Sequence, residues 1–321
     1  MTGVSPSQFV PVAVVSRSGV DESVHFGAVV CLNSQGNIEF SLGDPHAQIF
    51  PRSSTKPMQA LAMVRAGLSL PAEKLALVCS SHNGELIHQQ TALAILAEFG
   101  LDESALGNTH DYPMHTYSAH DAIRAGLPKS ALQMGCSGKH SGMVATCVIN
   151  GWSIENYLEQ DHPLQQAITR TVADVTGQEA FAIGIDGCGA PAHVVELVGL
   201  ARAMRAMATG AAGDSGLQVY NAMSQFPNMV GGSGRDVTAI VSGIDGLFAK
   251  DGAEAVYGAA LPDGRAVALK MSDGYGRGAQ TVLLAALEKL GVDVSHVDNK
   301  IAEIVYGHGK PVGSVRAIGF D

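Results

Sequence analysis

The order of strand-like and helix-like segments along the chain limits the possible fold more than any other feature of the sequence. Residues 12–15 and 26–32 are apolar and rich in β-branched side chains, which is typical of strands. From Thr55 the apolar residues recur at helical spacing instead, and strand-like runs return in the last third. We therefore expect an α/β fold of the α+β type, in which an antiparallel sheet is completed by both chain ends and flanked by helices.

The same patterns predict individual elements. Strands are predicted at 37–42, 238–241, 255–260, 266–271 and 313–318, and helices at 85–99, 141–149, 163–175, 192–207 and 276–290. Because no repeat or biased linker interrupts the chain, we predict a single domain over residues 1–321, strand-rich at 1–50 and 236–321 and helical at 55–230. A doubly wound nucleotide fold is disfavoured, because strands and helices do not alternate regularly and no GxGxxG follows the first strand.

Charge and cysteine content narrow the partners and the compartment. The formal net charge is -10 and no Lys/Arg cluster is present, so we expect no nucleic-acid partner and no anionic membrane surface. Five widely spaced cysteines do not form a disulfide framework and fit a reducing cytosol. The apolar run at 9–15 is broken by Pro11 and is too short to span a bilayer. These features predict a soluble, cytoplasmic protein.

Ser53 and Lys56 are the first candidates for catalysis. Their spacing, Ser-x-x-Lys, puts both side chains on one face of a helix. A lysine that has lost its proton can take the proton of a serine hydroxyl, as in the Ser-x-x-Lys acyl-transfer enzymes. The alternative is an ordinary helix start, with a serine as N-cap and Lys56 exposed. The spacing alone does not separate these two interpretations.

Two further polar segments lie in glycine-rich loops, where catalytic groups are often found. In the segment 79–85, Ser81 and Asn83 either act in catalysis or cap the following helix. The segment 134–142 places a cysteine, a lysine and a histidine between glycines at a helix start, where backbone donors can approach an anion. The alternative there is an ordinary loop with an exposed lysine.

Cys188 and Lys270 complete the set of candidates. Cys188 lies in the segment Asp186-Gly187-Cys188-Gly189, which is either functional or a reverse turn with a buried cysteine. Lys270 ends an apolar strand-like run. Such a lysine either extends its amine to solvent or supplies a buried amine beside a nucleophile.

The motifs occur together and in one order along nearly the whole chain. In combination they resemble those of the L-asparaginase II family, the rhizobial-type or class 3 asparaginases. The segments that carry the resemblance are Arg52-Ser53-Ser54-Thr55-Lys56-Pro57, Cys79-Ser80-Ser81-His82-Asn83, Gly135-Cys136-Ser137-Gly138-Lys139-His140, Asp186-Gly187-Cys188, Tyr257-x-x-Ala260-Leu261-Pro262 and Ala268-Leu269-Lys270.

The resemblance implies a fold similar to the serine β-lactamase and glutaminase class, and it implies a homodimer. It further implies two catalytic Ser–Lys pairs, which here match Ser53 with Lys56 and Ser81 with Lys270. A zinc ion in the family is held by two cysteines and a lysine, matching Cys136, Lys139 and Cys188, with Asp186 nearby. Lysine is an unusual zinc ligand, since it must release its proton to coordinate the metal.

The function expected from the resemblance is hydrolysis of the side-chain amide of L-asparagine to L-aspartate and ammonia. We prefer Ser53 as the nucleophile and Lys56 as its base, and the choice between the two serines stays open. Substrate binding is assigned to Arg52, Asn83, Gly138 and His140. The alternatives are another Ser–Lys amidohydrolase such as a glutaminase, and a catalytically inactive relative that binds zinc or an amino acid. A β-lactamase is disfavoured by the missing Lys-Thr-Gly triplet.

Overall fold

The computed structural model describes residues 3–297 and 301–321 of the chain. The strands of this part, in chain order, are β1 (Val10–Arg17), β2 (Val20–Leu32), β3 (Ile38–Leu42), β4 (Gln48–Ile49), β5 (Ala182–Ile185), β6 (Pro191–Glu196), β7 (Phe248–Gly252), β8 (Val256–Ala260), β9 (Ala266–Met271), β10 (Ile304–Gly307) and β11 (Lys310–Ala317). Within these residues the larger sheet has eight strands, in the order β10-β11-β1-β2-β9-β8-β7 with β3 also paired to β2, and all its pairs are antiparallel. A smaller sheet has the order β4-β6-β5.

Both ends of the chain meet in the larger sheet. Strand β1 pairs with β2 on one side and with β11 on the other, where Val14 lies opposite Arg316. The expected antiparallel sheet that both termini complete, flanked by helices, is therefore confirmed. The single-domain assignment stays a prediction.

The apolar run in β2 reads as continuous because both faces of the sheet are covered. Val30 and Leu32 belong to one buried cluster, whereas Val29 and Cys31 belong to a second cluster on the opposite face. A strand covered on both sides loses the alternation of apolar and polar residues that marks a half-exposed strand. The sheet is thus the middle layer of three.

The outer layers are helical, and the described helices are α1 (Lys56–Arg65), α2 (Ala72–Val78), α3 (Leu86–Glu98), α4 (Thr116–Arg124), α5 (Ser137–Asn150), α6 (Pro163–Thr176), α7 (Leu197–Ala208), α8 (Asp214–Gln225), α9 (Pro227–Val230), α10 (Asp236–Gly243) and α11 (Ala279–Lys289). Helix α7 packs on β2, β8 and β9, and α11 packs on β9 and β11. Close contact with α7 is possible at Gly258, where a Cβ atom would lie 3.0 Å from Met204 Cγ. No helix of the described residues is both long and apolar enough to cross a membrane.

Two predicted elements were wrong. Residues 238–241 belong to α10 and not to a strand, because a four-residue apolar run has no period long enough to distinguish the two. The helix predicted at 192–207 begins only at Leu197, since residues 191–196 form β6 and pair with β4 and β5. The boundary lies at Glu196, the N-cap residue of α7.

Candidate active site

Lys56 lies at the centre of the candidate site. A 3-10 turn, Arg52–Thr55, runs directly into α1, and Pro57 in the first turn of that helix fixes a backbone angle suited to a helix start. The Lys56 side chain is 1% exposed, and its Nζ lies 2.5 Å from Ser80 O, 2.9 Å from Ser81 Oγ and 3.2 Å from Cys136 Sγ. The lysine therefore contacts the second predicted serine. Among the described residues no hydrogen bond joins it to Ser53 Oγ.

Arg52 and Asp186 form one wall of the site. Arg52 has a positive φ of 54°, a left-handed conformation that is unfavourable for a residue with a Cβ. Its guanidinium makes two contacts of 2.8 Å with Asp186 Oδ1, from Nε and Nη2. Its carbonyl oxygen accepts a 2.7 Å hydrogen bond from Thr55 Oγ1. These contacts hold the turn that presents Ser53.

Both predicted serines border one cavity of about 360 Å³. Five charged side chains line it, four of which form two ion pairs with each other while the fifth, Asp111, pairs with Lys129. Two of the candidate zinc ligands and the tip of the β7–β8 hairpin complete the lining. The lining residues used below are Ser53, Ser81, Arg52, Asp186, Arg235, Asp251, Cys136 and Cys188. A cavity of this size can hold a free amino acid.

Arg235 and Asp251 also line the cavity, and the fully buried Lys250 lies behind them. Arg235 Nη2 lies 2.5 Å from Asp251 Oδ2, and Lys250 Nζ lies 2.5 Å from Asp251 Oδ1. Burial lowers the pKa of Lys250 to about 8, an effect that Asp251 opposes and the neighbouring Lys56 strengthens. Burial alone would raise the pKa of Asp251, but Lys250 and Arg235 hold it at about 2. The site thus holds a second buried lysine whose amine changes charge near neutral pH.

The structure does not bring Lys270 together with Ser81. Lys270 Nζ donates to the carbonyl oxygens of Glu254, at 2.7 Å, and Met271, at 2.5 Å, and its side chain lines a separate cavity. Both Glu254 and Ala255 have a positive φ, so Lys270 holds the turn of the β7–β8 hairpin in an unfavourable conformation. The predicted pairing of Lys270 with Ser81 is therefore corrected, because Lys56 takes that place.

Three of the four residues predicted to bind substrate lie behind the cavity wall. Asn83 Nδ2 donates to Ser233 O at 2.8 Å, and the Asn83 side chain is buried. Gly138 lies inside α5, where a Cβ atom would come within 2.4 Å of Leu77 O, so it permits close helix packing. His140 is fully buried. None of these three lines the cavity, whereas Arg52 does.

The predicted zinc ligands lie together. Lys139 Nζ is 3.0 Å from Cys188 Sγ, and all three residues are at least nine-tenths buried. A hydrogen bond from the Cys136 thiol lowers the pKa of Cys188, and the positive charge of Lys139 lowers it further, although burial opposes both effects. The same hydrogen bond raises the pKa of Cys136, and burial adds to this. Cys188 is therefore the sulfur of this buried cluster that loses its proton more readily.

The comparison with protein families assigns the chain. The family described as L-asparaginase II matches residues 13–317. The chain belongs to the L-asparaginase II family. Membership in this family supports amide hydrolysis as the class of reaction. The comparison with curated proteins gave no match.

The solved structures that match this L-asparaginase II chain do so at low sequence identity. A protein of Bacteroides dorei assigned as a β-lactamase matches with 14% identity and a TM-score of 0.47, over 82% of this chain and 92% of that one. A β-lactamase from Mycobacterium bovis matches with 13% identity and a TM-score of 0.36, over 82% and 94%. EstCE1, a hydrolase with promiscuous acyltransferase activity, matches with 13% identity and a TM-score of 0.40, over 88% and 94%.

The cysteine–lysine cluster of the L-asparaginase II chain fits a zinc ion chemically. Two sulfurs and a nitrogen are the atom types that zinc prefers. His140 Nε2 is buried without a hydrogen-bond partner, while its Nδ1 lies 2.7 Å from Tyr157 Oη. Because Tyr157 Oη accepts from the Gly107 amide at 2.8 Å, its own proton goes to Nδ1, and Nε2 therefore carries a proton next to Cys188. No described group of three His, Cys, Asp or Glu side chains is arranged for a metal, so a site here depends on the lysine.

Sequence reasoning missed Lys250 and did not assign Arg235 or Asp251. The available signal was the period of two in β7, where Phe248 and Lys250 point to the same face and Phe248 is fully buried. A lysine in phase with a buried phenylalanine predicts a buried amine. Nothing in the sequence says which carboxylate meets that amine.

Proposed function

We propose that this protein hydrolyses the side-chain amide of free L-asparagine to L-aspartate and ammonia. The observation that carries the proposal is the contact of 2.9 Å between Lys56 Nζ and Ser81 Oγ, at the edge of the cavity that Ser53 shares. A buried amine in contact with a hydroxyl beside a substrate-sized cavity is the arrangement that activates a serine.

The charges of the cavity support a free amino acid as substrate. Arg52 with Asp186 and Arg235 with Asp251 present two guanidinium groups and two carboxylates to one small space. An amino acid with a free α-carboxylate and a free α-ammonium group matches both signs of charge, with Arg52 as the proposed partner of the carboxylate. An N-acylated amino acid has no α-ammonium group and would therefore match only the guanidinium groups.

The first chemical step is attack by Ser53 Oγ on the amide carbon. Its proton passes to Ser81 Oγ, whose own proton goes to Lys56 Nζ, and Lys56 returns a proton to the departing nitrogen as ammonia leaves. When Lys56 is neutral, its two N–H groups donate to Ser80 O and Cys136 Sγ. Its lone pair then faces the hydroxyl of Ser81. Water hydrolyses the resulting β-aspartyl ester and restores Ser53.

The developing oxyanion needs hydrogen-bond donors. The Ser81 amide is already used, since it donates to Val230 O at 3.1 Å. The Ser53 amide has no acceptor among the hydrogen bonds of the described residues, and it lies next to the attacking oxygen. We assign it as one oxyanion donor, a role that contributes about 3 kcal/mol per donor in other enzymes.

We propose Lys250 as the second catalytic lysine, the role that the family resemblance assigned to Lys270. The Ser54 hydroxyl donates to Lys250 O at 3.0 Å, so β7 is attached directly to the turn that carries Ser53. An amine with a pKa of about 8 can accept the proton of the hydrolytic water and release it again. We assign this second step to Lys250.

A zinc ion, when bound, would be held by Cys136, Lys139 and Cys188 and would offer an open coordination position for a substrate oxygen or nitrogen. A homodimer, inferred from the family resemblance, is part of the same proposal and is tested by light scattering.

The proposal is tested by ammonia release from purified protein. L-Asparagine is compared with L-glutamine, Nα-acetyl-L-asparagine and a chromogenic β-lactam. We expect turnover of L-asparagine and at least a hundredfold loss on acetylation, which removes the α-ammonium charge. Faster turnover of glutamine or of the β-lactam would replace the proposal with the corresponding hydrolase, and saturable asparagine binding without ammonia release would indicate a binding protein.

A trapped acyl-enzyme identifies the nucleophile. Trypsin cleaves after Arg52 and Arg65 but not between Lys56 and Pro57, so Ser53 lies in peptide 53–65 and Ser81 in peptide 75–124. After rapid acid quench with an electrophilic asparagine analogue, we expect the added mass on peptide 53–65. Mass on peptide 75–124 would make Ser81 the nucleophile.

A further inference from the structure

Arg235 connects three segments of the site that are distant in sequence. Its Nη1 donates to Ser81 O at 3.2 Å and faces Asn83 Oδ1 at 3.4 Å, and its Nη2 binds Asp251 at 2.5 Å. Asp251 uses its second oxygen for Lys250. One carboxylate is therefore shared between a guanidinium and an amine, and the guanidinium also holds the loop of Ser81.

Four charged or titratable groups face the Lys250 amine. Asp251 is on the same strand, Arg235 precedes α10, Lys56 begins α1 and Cys79 ends α2. Burial raises the pKa of Cys79 to about 12, so this thiol stays neutral. The remaining three groups carry two positive charges and one negative charge when Lys56 is protonated. The balance around Lys250 therefore depends on whether Arg235 is present.

We infer that Arg235 is a positioning residue that sets the charge state of Lys250 through their shared carboxylate, Asp251, and at the same time fixes the distance between Lys250 and the Ser81 loop. With Arg235 in place, part of the negative charge of Asp251 is neutralised and the ammonium form of Lys250 is less stabilised. Without Arg235, Asp251 would form an undivided ion pair with Lys250 and would keep it protonated. The inference rests on the proposed function only where it concerns turnover.

The sign of the effect distinguishes this role from a merely structural one. Removing the positive charge, with Arg235→Gln, should raise the pKa of Lys250 by about one unit, a modest shift for a charge this close and partly shielded. Removing the negative charge, with Asp251→Asn, should lower the pKa of Lys250 below about 8. Arg235→Lys keeps the charge and should hold the pKa near that of the parent protein. A general loosening of the site would move the first two variants in the same direction.

The experiment follows the lysine Cε signals by NMR in protein labelled with ¹³C-lysine, titrated from pH 6 to pH 11. The Lys250 signal is assigned by its absence in Lys250→Met. The matched control is Arg265→Gln, which removes an arginine paired with Asp263 in the β8–β9 turn, at 27% exposure against 24% for Arg235. We expect opposite shifts for Arg235→Gln and Asp251→Asn and no shift for the control.

Turnover is measured on the same samples as kcat/KM against pH. The acid limb of the profile should move to higher pH in Arg235→Gln and to lower pH in Asp251→Asn. Equal directions of shift in the NMR titrations, or no shift, overturn the inference whatever the activity. NMR shifts of the expected sign without a change in the pH profile keep Arg235 in its role and reject Lys250 as a proton carrier. If Arg235→Gln does not fold, Arg235→Lys decides: a Lys250 pKa near that of the parent protein supports the inference, and a clear shift overturns it.

Discussion

Replacing Lys56 with methionine separates catalysis from packing, because Lys270 offers a matched comparison. Both amines are buried and donate to two main-chain or side-chain oxygens, Lys56 beside Ser81 and Lys270 on the turn at Glu254. Methionine keeps most of the apolar stem in each case. What differs is the cavity: Lys56 contacts a serine that lines the candidate active site, whereas Lys270 lines another cavity.

The expected sizes follow from these contacts. Lys56→Met removes the proposed base, and the loss of such a group costs about 10²–10⁴-fold in rate. It also leaves Ser80 O without its donor, which costs about 1–3 kcal/mol of folding free energy. Lys270→Met likewise leaves the Glu254 carbonyl without its donor, whereas the Met271 carbonyl keeps a second donor, the Gly274 amide at 3.4 Å. We therefore expect comparable losses of stability in the two variants but a large loss of turnover only in Lys56→Met.

The assay combines urea unfolding with ammonia release at saturating L-asparagine. Both variants should unfold at a lower urea concentration than the parent protein, by amounts within about 1 kcal/mol of each other. Lys270→Met should keep turnover within about tenfold of the parent, since the hairpin tip it supports borders the cavity. If Lys270→Met loses as much turnover as Lys56→Met, our assignment of the lysines is refuted. If Lys56→Met stays active, no role of Lys56 as base can be maintained.

Two further predictions concern the proposed zinc ligands and helix packing. Tyr157→Phe removes the hydroxyl that directs the His140 proton towards Cys188, so zinc affinity, measured by chelator competition, should fall about 10–100-fold. The control is Tyr220→Phe, which removes a hydroxyl that donates to Gly246 O, far from the cluster. This variant should leave zinc affinity unchanged. Equal affinity in both variants would exclude this role for Tyr157. Gly138→Ala should destabilise the fold by about 1–3 kcal/mol, since its Cβ atom would meet the Leu77 carbonyl oxygen at 2.4 Å; an unchanged melting temperature would show that α2 and α5 can separate freely.

The sequence predicted the architecture and most members of the site but not how the lysines are paired. Ser-x-x-Lys spacing favoured contact between Ser53 and Lys56, yet the Lys56 amine lies on Ser80 O and Ser81 Oγ. The physical reason is that the chain, after leaving α2 at Cys79, passes the Lys56 side chain, so the Ser80 carbonyl and the Ser81 hydroxyl meet its amine. Which segment lies beside a given lysine is a property of tertiary packing, and no spacing within one segment encodes it.

Lys250 was missed for a related reason. A lysine after the short apolar run 247–249 resembles the end of a surface strand. The ion pair with Asp251 offsets the free-energy cost of burying the Lys250 ammonium group. Lys270 was selected because its apolar strand is longer and clearer. Burial of an amine therefore follows from the carbonyl or carboxylate it meets, and the hydrophobicity of the preceding residues indicates only that the strand is internal.

Arg52 shows how backbone strain can contribute to such a site. A left-handed arginine costs about 1–2 kcal/mol relative to a glycine in the same conformation. It persists because the guanidinium is fixed on Asp186 and the Thr55 hydroxyl holds the Arg52 carbonyl. The reversal it produces between Phe50 and the 3-10 turn leaves the Ser53 amide without an acceptor among the described hydrogen bonds, on the border of the cavity. The first amides of a helical turn have no partner within the turn, so the Ser53 amide is available to an oxygen of a substrate bound in the cavity.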